Sequence, residues 1–124
     1  MGLAEELEAF FNGYPKSRSL FDALRGEVEA LGQVALRVGK SQVAFQRKRN
    51  FAFAWIPERY LKGQRELAPL VLTLGLRHKN ESPRWKEIVE PHPGRFTHHL
   101  ELRESGEIDE EVRNWLREAW ELAG

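Results

Sequence analysis

From Gln33 to Arg103 the apolar residues of this 124-residue chain recur at a period of two, and on either side of that stretch they recur at helical spacing. Two changes of period along one short chain restrict the fold more than any other feature. Leu3, Leu7, Phe10 and Phe11, then Leu20, Leu24, Val28 and Leu31, predict two N-terminal helices, with the turn chemistry of Gly13 and Pro15 between them. Ser19 followed by Asp22 resembles a capping box for the second helix, and Gly32 sits where a C-cap would end it. Near the other end, Ile108, Val112, Trp115, Leu116, Ala119 and Leu122 share one helical face, with Asp109, Glu110 and Glu111 favourable in the first turn.

The alternating stretch divides into five expected strands, at residues 34–38, 41–46, 51–56, 70–76 and 95–103. Gly39 and the run QRKRN supply turns, Pro57 stops the third strand, and ERYLKGQREL is a polar excursion with room for one helical turn. RHKNESPRW reads as loop and KEIVEPHPG as an irregular connection around Pro91 and Pro93. A parallel crossover needs a dozen or more residues, more than most of these links contain. The expected fold is therefore α+β: two N-terminal helices, a mainly antiparallel sheet of about five strands and one C-terminal helix, in a single domain over residues 1–124.

Strand three alternates Phe51, Phe53 and Trp55 with Ala52, Ala54 and Ile56; strand four alternates Leu70, Leu72, Leu74 and Leu76 with Val71, Thr73 and Gly75. Burying a large apolar side chain gains about 1.5–3 kcal/mol, so the bulky set is assigned to the core. The small set, with Ala35 and Ala44, either admits a closely packed helix or forms a shallow ligand surface edged by Arg37, Gln42 and Gln46.

Charge is uneven although the total is zero. Residues 33–65 carry +7, whereas residues 1–31 carry −3, 66–100 carry +1 and 101–124 carry −5. Acidic helices flanking basic strands can neutralise each other within the fold. The alternative is an anion-binding surface in which Lys40, Gln42, Arg47, Lys48 and Arg49 meet a small anion or a nucleic acid.

Cysteine is absent, which excludes disulfides, thiolate metal sites and a cysteine nucleophile. No Walker loop, Rossmann glycine pattern, nucleophile elbow or His-Glu-x-x-His motif is present, and no metal or cofactor is expected. No apolar run approaches the ~18 residues of a membrane span, and the acidic N-terminal stretch does not read as a secretory signal, so a soluble cytoplasmic protein without a membrane partner is expected. His98 and His99 are adjacent, so in a strand they point to opposite faces and cannot easily share an ion. His98 joins Phe96, Leu100 and Leu102 on an apolar face, as a hydrogen-bonded buried histidine. His99 joins Thr97, Glu101 and Arg103 on a polar one, where His99 and Glu101 could orient each other for acid/base work.

The runs KSQVAF (40–45) and RNFA (49–52), SPRWKE (82–87) and GRFTHHLELR (94–103) resemble, in that order, a family of bacterial domains of unknown function sometimes labelled predicted transport proteins. The resemblance covers residues 13–122 and implies a small α+β sheet with flanking helices, with no catalytic residue to carry over. It directs attention to Lys40, Arg49, Trp85 and His98 or His99. The functional expectation is a small non-enzymatic binding module for an anionic ligand or nucleic acid, with Lys40, Gln42, Arg47, Lys48, Arg49 and His99 as candidate contacts. The alternatives are a protein-interaction or homodimeric domain using an exposed strand edge, and an enzyme using the His99 and Glu101 pair.

Overall fold

The computed structural model describes residues 1–61 and 66–124. Helices α1 (Leu3–Phe10) and α2 (Pro15–Glu29) precede strands β1 (Ala35–Val38), β2 (Val43–Gln46), β3 (Asn50–Trp55), β4 (Leu70–Leu76), β5 (Glu87–His92) and β6 (Arg95–Leu102), and helix α3 (Glu110–Leu122) follows. The strands form one antiparallel sheet in the order β1-β2-β3-β4-β6-β5. The fold is α+β, with one strand more than the five expected. The extra strand, β5, lies in the stretch read as irregular, and the register shift of its pairing with β6 between Val89 and His92 accommodates Pro91 at the sheet edge.

The second helix starts earlier than Ser19. Pro15 occupies its first turn, where a missing N–H costs nothing, and Ser19 and Asp22 lie inside it, with Arg18 bonding Asp22 one turn on at 3.0 Å. The helix ends at Glu29, ahead of Gly32. Pro57 ends the third strand and opens a single 3-10 turn, Pro57–Arg59; of the polar excursion that follows, residues 62–65 lie outside the described residues.

Leu70, Leu72, Leu74 and Leu76 are fully or almost fully buried, as their alternation predicts. They share one core with Leu7, Phe21, Leu24 and Val28 of the N-terminal helices and Val112, Trp115 and Leu116 of α3. The assignment of β3 is corrected. Antiparallel register sets Ala52 opposite Leu74 and Ala54 opposite Leu72, so the alanines and Ile56 face the helices while Phe53 and Trp55 stand half-buried on the other face. The small side chains let α3 approach as it crosses β3 and β4. Phe51 is nevertheless core: a bulge pairs Gln46 with Asn50 and Phe45 with Ala52, and the released Phe51 ring lies 6.5 Å from Phe45.

Candidate functional site

Antiparallel pairing brings the start of β3, the end of β4 and the start of β6 to the same end of the sheet, and the C-terminal turn of α3 closes over them. A cleft of about 330 Å³ lies there. Phe51, Leu76, Phe96, Ala119 and Leu122 form its apolar floor, and Arg49, Arg77, Arg95 and His92 its rim. No carboxylate lines it, and none of the ion pairs among the described residues uses Arg49, Arg77 or Arg95. Guanidinium groups present planar forks of donors that match carboxylate and phosphate oxygens, so this rim is suited to an anion whose remainder is apolar. Of the residues singled out in the sequence only Arg49 is here. Arg77 was missed because it follows β4, far along the chain from Arg49, and His92 and Arg95 because they flank the short turn between β5 and β6, a turn within the stretch read as irregular. The available signal was the recurrence of a cation at each strand end, in LRHK and GRF.

The basic turn does a different job. Arg49 Nη2 donates to Leu122 O at 2.6 Å, Arg47 Nη1 to Trp120 O at 3.3 Å, and the Lys48 backbone N–H to Ala123 O at 3.1 Å. The Arg47 guanidinium also lies 3.6 Å from the centre of the Trp120 ring. The last carbonyls of a helix lack partners within it and carry the negative end of its dipole, so this turn caps α3. The expected mutual neutralisation of acidic helices and basic strands is not found: among the described residues no ion pair joins a cation of residues 33–61 to a carboxylate, and these arginines meet helix carbonyls instead. Lys40, Gln42 and Lys48 are exposed, and outside the cleft.

His99 lies on the face of the sheet away from the helices. Trp55 Nε1 donates to Thr73 Oγ1 at 3.2 Å, and Thr73 Oγ1 lies 2.8 Å from His99 Nδ1. Burial, partly opposed by Glu87, lowers the His99 pKa, so the ring is neutral at neutral pH; Nδ1 then accepts the Thr73 hydroxyl proton when Nε2 carries the ring proton. Glu101 is bonded to Lys86 at 3.2 Å and lies 3.8 Å from Arg103. His99 and Glu101 thus share a face but have separate partners, and neither lines the cleft. Among the described residues no group of three metal-ligating side chains occurs, and no helix is long and apolar enough to cross a membrane.

Residues 7–123 match the model of DUF5655, a domain of unknown function, and so almost the whole fold described above falls within it. The chain belongs to the DUF5655 family. No curated protein and no solved structure matches it. In this DUF5655 domain the residues of the motif-bearing runs have structural positions. Trp85 packs against Trp115 at 4.2 Å and against the buried His98 at 4.7 Å, and Arg84 binds Asp109 and Glu111, each at 3.0 Å, at the start of α3. Arg49 holds the other end of α3.

Proposed function

We propose that this DUF5655 domain is a non-catalytic binding module for one small organic anion, taken up in the cleft at the sheet end. The observation that carries this reading is the convergence of three arginines and a histidine round an apolar floor with no carboxylate among the lining residues. Small-molecule sites run from roughly 300 to 1,000 Å³. At about 330 Å³ the cleft suits one compact ligand, such as an aryl carboxylate or a phosphate monoester. Arg77 and Arg95 are the principal anion contacts, because Arg49 already spends a donor on Leu122 O. The absence of cysteine agrees with a cytoplasmic setting.

The wider reading, nucleic acid along the basic turn, has less support, since Arg47 and Arg49 are engaged with α3 and leave Lys40 and Lys48. Calorimetric titration with benzoate, phenyl phosphate and a short single-stranded oligonucleotide, at low and moderate salt, separates the two. The aryl anions are expected to bind, and Arg77→Gln combined with Arg95→Gln to weaken them at least tenfold, each charged hydrogen bond contributing about 1.5–3 kcal/mol. Oligonucleotide binding that survives those changes but fails in Lys40→Gln with Lys48→Gln would move the site to the turn. If neither aryl anion binds at low salt, the proposal is wrong.

A further inference from the structure

The face of the sheet away from the helices carries one row of side chains through all six strands: Arg37, Ala44, Phe53, Thr73, His99 and Glu87 are successive cross-strand partners. The row is basic at the β1 edge and acidic at the β5 edge. Its large apolar members lie to one side of its centre. Phe53 and, in the next row, Trp55 belong to β3, whereas β4 presents the smaller Thr73 and Val71. None of Ala44, Phe53, Trp55, Val71 and Thr73 belongs to the core shared with the helices, yet Val71 is 2% and Thr73 8% exposed, sunk between taller neighbours. Val89 on β5 is among the few large apolar side chains left exposed.

We infer that this face is a homodimer interface, on which a second copy packs face to face about a twofold axis running along the strands between β3 and β4. Two sheets stacked about 10 Å apart have two simple symmetric arrangements. An axis across the strands would set Arg37 against the partner's Arg37 and Phe53 close to the partner's Phe53, like charge on like charge and bulk on bulk. The axis along the strands exchanges β3 with β4, β2 with β6 and β1 with β5. Arg37 then meets the partner's Glu87, Phe53 meets the partner's Thr73, and Trp55 meets the partner's Val71. Ala35 meets the partner's Val89, and Gln46 the partner's Thr97. Charge and size, which are independent properties of the sequence, select the same axis. The strands of the two sheets would cross at ~30°, as in other aligned sheet packings.

The footprint sets the strength. Six strands ~4.8 Å apart and three rows ~6.7 Å apart cover roughly 600 Å² per copy. A standard stable interface takes ~800 Å² per partner, so the dimer is reversible and concentration-dependent. It uses the sheet face and not a strand edge, shares only Thr97 of the contacts named above with the lining of the cleft, and stands whether or not an anion binds.

Sedimentation velocity from low to high micromolar concentration, on the wild type and three variants, tests the arrangement. Arg37 and Glu87 lie at opposite edges of one sheet, ~24 Å apart, so they cannot compensate for each other within a chain. Each faces the other only across the twofold axis, twice per dimer. Arg37→Glu alone and Glu87→Arg alone are expected to weaken dimerisation about tenfold, and the double variant R37E/E87R to restore it to near the wild-type value. Both positions are exposed, and far-UV circular dichroism confirms that each variant is folded. A wild type that stays monomeric throughout, a dimer indifferent to the single reversals, or a double variant as weak as the singles would each overturn the inference.

Discussion

The indole ring of Trp85 stands edge-on to the buried imidazole of His98, with centroids 4.7 Å apart and ring planes at 63°, and Asn80 ties the two together. Trp85 Nε1 donates to Asn80 Oδ1 at 3.0 Å, and the Asn80 backbone N–H donates to His98 Nε2 at 3.0 Å. The other ring nitrogen, Nδ1, lies 3.1 Å from Phe96 O, a pure acceptor, so Nδ1 carries the proton and the imidazole is neutral.

A pH dependence follows. Burial lowers the His98 pKa below its ordinary value, and protonation at Nε2 would break the Asn80 bond. The unfolded chain takes up its proton first, near pH 6.5, so the stability held by neutral His98 is present above about pH 6.5 and is lost as pH falls below it. Urea midpoints are expected to drop between about pH 7.5 and pH 5. His98→Phe should flatten that slope, leaving a remainder from His99, and should lower stability at pH 7.5 by about 1–3 kcal/mol because the Asn80 N–H and Phe96 carbonyl lose their partner. A slope unchanged in His98→Phe would place the titrating group elsewhere.

The basic turn should behave as a helix cap. Arg49→Ala and Arg47→Ala each remove a donor from the C-terminal carbonyls of α3, and Arg47 also leaves the Trp120 ring, so each is expected to cost about 0.5–1 kcal/mol. Lys48→Ala should be near neutral, because Lys48 contributes its backbone N–H. Thermal melts of the three variants check the order; Lys48→Ala proving as costly as Arg49→Ala would contradict it.

How far the sequence revealed these features depends on the range over which each is encoded. The Leu70 to Leu76 alternation is local, and it identifies a buried strand because burial follows from side-chain type. The face assignment of β3 is not local. Phe53 and Trp55 are bulkier than Ala52 and Ala54, yet register with Leu72 and Leu74 turns the alanines inward, and bulk alone misleads where a helix needs room. Strand β5 was obscured by Pro91, which a central strand excludes but an edge strand with a register shift accepts. His98 was legible as a buried histidine from its apolar companions. The cleft was not legible, because Arg49, Arg77 and Arg95 meet only through the antiparallel order of β3, β4 and β6.

Arg84 and Asp109 should prove coupled at the start of α3. Asp109 caps the helix by accepting from the Val112 N–H at 3.1 Å, while Arg84 Nη1 donates to both of its carboxylate oxygens at 3.0 Å and Nη2 to Glu107 O at 2.8 Å. The Val112 bond first, and Arg84 second, hold the Asp109 pKa below its ordinary value, so this contribution is present above about pH 3.9 and lost as pH falls through the folded pKa. Asp109→Ala is expected to cost about 1 kcal/mol through the cap. In an Arg84→Ala, Asp109→Ala cycle the double variant should lose less than the sum of the singles, by about 0.5–1 kcal/mol. Strict additivity in urea denaturation would show that the pair does not interact.

Gly32 is required by Trp120, and the cost of replacing it should depend on that side chain. The backbone at Gly32 has φ +148°, which side chains rarely adopt, and a Cβ built there would lie 2.7 Å from Trp120 Cζ2. The ring cannot easily retreat, because its Nε1 donates to Gln33 O at 3.1 Å and its other surroundings include the Arg47 guanidinium. Gly32→Ala therefore carries two penalties, backbone strain and overpacking, of about 1–3 kcal/mol each. Trp120→Ala removes the obstacle and leaves only the strain. In urea denaturation, Gly32→Ala should cost clearly less in the Trp120→Ala background than in the wild type; an equal cost in both would mean that φ alone, and not the indole, keeps this position glycine.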